Sequence, residues 1–121
     1  MRALTIIVAA PDPERLRGAL TLAAAQAALG GQARLFLQLD AVALLRAPIA
    51  APRDAGHKAA GLPSLEELLA EALSLGVALS ACQSGMSLAG LSLADLPPGT
   101  EVTGPIALLQ AQTEADRLIF A

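Results

Sequence analysis

Short apolar runs rich in β-branched residues alternate with helix-patterned segments along this chain, and that alternation leaves few folds open. Leu4-Thr5-Ile6-Ile7-Val8-Ala9 is nearly continuous in its apolarity, the pattern of a strand buried on both faces. Asp12 stands ready to cap a helix that has Pro13 in its first position. Leu16, Leu20, Ala23 and Ala27 fall on one side of that helix, and Gly30-Gly31 ends it. Termination accounts for this glycine pair, since neither a GxGxxG nor a Walker pattern is present.

The alternation continues. Residues 33–39 read as a second strand, and Asp40 is placed to cap a short helix running to Arg46. Residues 47–63 are rich in Pro, Gly and Ala without periodicity, which predicts a long loop, a segment type that often carries function. Ser64-Leu65-Glu66-Glu67 has capping-box spacing. The helix it opens turns Leu65, Leu68, Leu69, Ala72 and Leu73 inward and Glu66, Glu67 and Glu71 outward, until Gly76 stops it. Val77–Ala81 is the third strand, and a short helical stretch then reaches Gly90. Ser92–Asp95 opens a further turn. Residues 101–103 make a weak fourth strand, a helix starts at Pro105, and residues 116–120 close the chain as a fifth strand. Strand–helix alternation of this kind predicts a three-layer α/β/α sandwich around a mostly parallel five-stranded sheet, in one domain spanning 1–121.

Composition narrows the function. A formal charge of -3, a pI of about 4.9 and the lack of any basic cluster or aromatic platform argue against a nucleic-acid partner. The seven arginines and one lysine are scattered, as on a solvated surface. Hydrophobic residues make up 55% of the chain and mean hydropathy is +0.58, so membrane insertion has to be tested. The longest charge-free run, Ala72 to Ala94, has the length of a span, but three glycines, Gln83 and five serines break it into helix end, strand and turn. The apolar N-terminal run is too short for a good signal peptide. The expectation is a cytoplasmic protein with no membrane partner.

Cys82 is the only cysteine, which excludes an intrachain disulfide and any multi-cysteine metal site, and no metal or cofactor is expected. It lies where the third strand runs into the polar turn Gln83-Ser84-Gly85-Met86. Open α/β sheets present ligands at the carboxyl ends of their strands. Backbone N–H groups of Gln83, Ser84, Gly85 and Met86 are placed to hold an anion there, and Gly85 permits close backbone approach. Against this stands the ordinary behaviour of a free cysteine, that of a small buried hydrophobe. Met86 reads equally well as a packing residue. His57, with Arg53 and Lys58 in the 47–63 segment, can form a basic flap over the thiol, although a solvated loop histidine accounts for it more simply.

From Leu65 to Ala121 the chain resembles the DsrE/DsrF-like family of sulfur-relay proteins. The resemblance rests on the amphipathic helix, Gly76, the strand 77–81, Cys82, and Met86 and Gly90-Leu91 at their spacings from the thiol. Asp95-Leu96, Val102-x-Gly104, the last helix and the terminal strand complete it. It is nearest the branch with an A-C-x-x-S-M-x-x-x-G-type motif, and departs from it in having Gly85 where that branch has Ser. The first half agrees in element order alone. The resemblance implies that Cys82 is a persulfide carrier working with sulfur-donor and sulfur-acceptor proteins, and that the protein is a homotrimer or homohexamer. Three functions are thereby left: a sulfur carrier or sulfurtransferase, a non-catalytic module binding a small ligand or a protein, and a thiol peroxidase. The last ranks lowest, because there is no resolving cysteine and no Thr-x-x-Cys motif.

Overall fold

In the computed structural model, which describes residues 1–121, β1 (Leu4–Val8) is buried along its whole length. Asp12 accepts from the Glu14 N–H and caps α1 (Pro13–Ala28), with Pro13 at its start. β2 (Ala33–Leu37) leads into a 3₁₀ helix, Leu39–Leu45. Then come α2 (Asp54–Ala59), α3 (Leu65–Ser74) and β3 (Ala78–Cys82), with α4 (Gln83–Ala89) directly after the last. A 3₁₀ turn at Leu93–Asp95, β4 (Glu101–Thr103), α5 (Pro105–Gln110) and β5 (Arg117–Phe120) complete the chain.

All five strands are parallel, in the order β4-β3-β2-β1-β5. The steps β1 to β2 to β3 run the same way across the sheet, so right-handed crossovers put α1 and α3 on one face, where they pack together. The return from β4 to β5 spans the whole sheet in the opposite sense and carries α5 to the other face. Gln112, just past α5, donates from Nε2 to the hydroxyl of the buried Thr5 at 3.0 Å on that face. The expected α/β sandwich is therefore present, with a fully parallel sheet. The core is the α1/α3 side: Leu16, Leu20, Ala23, Leu65, Leu69 and Ala72 close over Leu35, Leu37 and Ala81. The capping box at Ser64 forms as the spacing predicts, Ser64 Oγ accepting from the Glu67 N–H and Glu67 from the Ser64 N–H.

Three expectations are corrected. Residues 47–63 are not a continuous loop, because α2 lies within them. Asp40 caps nothing: Gln38 occupies the cap position, and Asp40 is an exposed residue of the first 3₁₀ turn. Nor is every arginine solvated. Arg17 is 6% exposed; its guanidinium donates to Asp54 at 2.8 Å, Glu14 at 3.1 Å and the Pro63 carbonyl at 3.3 Å. A buried guanidinium is tolerable because these acceptors replace its water. They also explain α2, a six-residue helix with no buried residue of its own.

Candidate active site around Cys82

β3 ends at Cys82, and the same residue caps α4. β2, its neighbour in the sheet, ends two residues before Leu39, which takes a left-handed backbone (φ 51°) as the chain turns into the 3₁₀ helix. For a leucine that conformation costs on the order of 1–2 kcal/mol. The Leu39 N–H, with the N–H groups of Gly85 and Ser84 and the Ser84 hydroxyl, lies near enough to the Cys82 sulfur to favour its ionised form. Cys82 is 3% exposed and its side chain makes no cap hydrogen bond to α4, so these groups act on the sulfur as nearby dipoles. Burial pushes the thiol pKa up, but the donors outweigh it, and the net effect is a thiol held below its usual value.

Gly85 makes this geometry reachable. A Cβ there would collide with the Val42 side chain and the Leu39 carbonyl, so α4 can lie against the 3₁₀ helix only with glycine at this position. Gly90, left-handed at φ 66°, closes α4 one turn later. Of the four turn residues singled out in the sequence, Ser84 and Gly85 face the sulfur. Met86 is buried in the core, and Gln83 is exposed with no hydrogen bond from its side chain. The Leu39 N–H is not legible in the sequence. A backbone N–H leaves no mark in a side-chain pattern, and a left-handed leucine is not forecast by its identity.

The basic trio lies elsewhere. His57 Nε2 meets Glu14 Oε1 at 2.9 Å, Arg53 reaches the same oxygen at 3.7 Å, and Lys58 pairs with Glu67. These contacts fasten α2 to α1 and α3, and none of them reaches the Cys82 turn. The trio's partners are thus Glu14 on α1 and Glu67 on α3, and it is held there rather than over the thiol. Asp54, on the same helix, is held down at about 2 by the Arg17 hydrogen bond and then by the N–H groups of Leu65 and Ala51. No group of three His, Cys, Asp or Glu side chains is arranged to hold a metal ion. No helix is long and apolar enough to cross a membrane.

No curated protein matches the chain in sequence. Its fold recurs in solved structures. The ychN protein from E. coli superposes with a TM-score of 0.77 at 24% identity, each chain covered over 100% of its length. The MTH1491 protein from Methanobacterium thermoautotrophicum gives 0.74 at 17%, again with 100% of both chains. At such identities the likeness is one of fold. The sequence itself matches the model of the DsrE/DsrF-like family over residues 1–121, first half included. A family match of that extent, on a sheet of the same architecture as these neighbours, means that this chain belongs to the DsrE/DsrF-like family.

Proposed function

We propose that this protein is a sulfur carrier that accepts sulfur as a persulfide on Cys82 and relays it to a partner. The observation that supports the reading is the placement of Cys82 at the end of β3 beside a polar turn, where the N–H groups of Leu39, Ser84 and Gly85 and the Ser84 hydroxyl keep the thiol below its usual pKa. Such a setting favours the thiolate, the nucleophilic form. In the loading step the Cys82 thiolate attacks the terminal sulfur of a donor persulfide, R–S–SH. A new S–S bond forms, the donor's S–S bond breaks, and the leaving thiolate R–S⁻ takes its proton from water. Delivery repeats the exchange with an acceptor thiolate as the attacking group. No oxidant is consumed at either stage. Chemistry of this kind suits a reducing, cytoplasmic compartment.

A second reading is favoured by the burial of Cys82: the domain is a binding module and its cysteine only packs. Intact-mass measurement after exposure to a persulfide donor separates the two. The carrier gains the mass of one sulfur atom, the gain disappears in Cys82→Ala, and the loaded protein returns to its starting mass on adding a small thiol. A parent protein that gains no sulfur overturns the carrier reading.

A further inference from the structure

Every basic side chain of this protein has a partner except one. Arg2, Arg46 and Arg117 donate to Ala115, Ala89 and Gln26. Arg15, Arg17, Arg53 and Lys58 sit on carboxylates. Arg34, half-buried on β2, makes no hydrogen bond and no ion pair. Its side chain instead lines a cavity of about 370 Å³ between the sheet and α5.

That cavity has a physical origin in side-chain size. Its floor on β3 is Ala78 and Ser80, and its roof on α5 and the residue after it is Ala107 and Ala111. These small residues leave space unfilled between helix and sheet, while Leu108 of α5 is buried beside them. At the far side stands Glu101 on β4, opposite Ser80 in the register, with Thr103 two residues on along the same strand. Glu101, exposed at the cavity's edge, likewise has no ionic partner. Two strands, or about 10 Å, separate Arg34 from Glu101 across the sheet, and they form no ion pair with each other. The cavity thus carries one cation at one end, one anion at the other, and the Ser80 and Thr103 hydroxyls nearby.

We infer that this cavity is a binding site for a small zwitterion of amino-acid size, its carboxylate on Arg34 and its ammonium on Glu101. Both protein charges are then satisfied by one net-neutral ligand. A simple anion would leave Glu101 unpaired beside it, and a simple cation would leave Arg34 so. The volume is in the range of small-molecule sites, and a guanidinium is well matched to a carboxylate.

The test is amide chemical-shift titration of the isotope-labelled protein with L-alanine, β-alanine and 4-aminobutyrate, which space the two charges differently. Acetate and ethylammonium serve as single-charge controls. At least one zwitterion should shift the amides of Ala78, Ser80, Ala107 and Ala111 saturably. Both controls should bind about tenfold more weakly or worse, the size expected for losing one charged hydrogen-bonded contact. Arg34→Met and Glu101→Gln should each weaken binding by a similar factor. Ala78→Val keeps both charges, favours the strand and fills the floor, so it should abolish binding even if Arg34→Met folds poorly. The inference is overturned if no zwitterion saturates the shifts by about 10 mM. It is equally overturned if acetate binds as tightly as the zwitterions, or if Ala78→Val binds undiminished.

Discussion

What surrounds the sulfur of Cys82 decides how substitutions there should behave. A cysteine buried among apolar groups tolerates alanine better than serine, because the serine hydroxyl would be left unpaired. Here the order should reverse. A serine hydroxyl can accept from the nearby N–H groups of Leu39, Ser84 and Gly85, whereas alanine offers them no acceptor. Unpaired buried donors cost about 1–3 kcal/mol, so urea unfolding should find Cys82→Ala the less stable variant. If Cys82→Ser is the less stable, the donors do not engage the sulfur. The lowered thiol pKa has a linked consequence. The ionised form is favoured in the folded chain, so the stability it confers is fully present above the unfolded value of about 8.5 and is lost as pH falls through the lower folded value. The stability gap between the parent and Cys82→Ala should therefore widen as pH rises, and iodoacetamide alkylation should persist at lower pH than for a model thiol.

The elements that hold the site differ in how they can be read from sequence and in what would break them. Gly85→Ala would drive a Cβ into Val42 and the Leu39 carbonyl, parting α4 from the 3₁₀ helix. A cost of about 1–3 kcal/mol is expected, together with slower alkylation of Cys82 as its donors move away; unchanged melting and alkylation would show that the two helices do not need this contact. On the other side of the molecule α2 depends on Asp54. Its pKa is depressed to about 2, so its contribution is full above the unfolded value of about 3.9 and is lost as pH falls through about 2. Asp54→Asn should accordingly melt below the parent at neutral pH and converge with it near pH 2. β1, β2, α1 and α3 are legible because burial leaves its mark on their sequences: the apolar run Leu4–Val8, the Asp12 and Ser64 caps and the inward stripe of α3 all form as their residues foretell, whereas β4 and β5 are mostly exposed. α2 leaves no such mark. It buries no residue, contains Gly56, and starts at Arg53 with no side-chain cap, so only the ion pairs that appear on folding define it. The candidate site divides in the same way. Cys82 and Gly85 are recognisable from strand end and spacing, while the Leu39 donor and the anchoring of His57 depend on which elements fold against each other.

Across the whole molecule the two faces of the sheet are covered unequally. α1 and α3 bring 16 and 10 residues to one face, whereas α5 brings six to the other. The thinly covered side leaves large apolar groups in water: Phe120 on the edge strand β5 is 66% exposed, and Ile106 and Leu109 on α5 are 73% and 58% exposed. Only 16% of the residues are charged, so there is little polar surface with which to surround these groups. Apolar patches of this kind mark interaction surfaces, and the buried cores of homo-oligomer interfaces are more apolar than ordinary surface. The partner expected here is a second copy of the chain, in a trimer or hexamer. Light scattering at micromolar concentration should then give a mass that is a multiple of 12.2 kDa. Phe120→Glu and Ile106→Glu place a charge where the patch would be desolvated, and each should shift the mass toward the monomer while leaving the helical and sheet signal in circular dichroism unchanged. A parent protein that stays at 12.2 kDa would mean that these groups face water in the native state. An oligomer that survives both substitutions would place its interface on another face of the sheet.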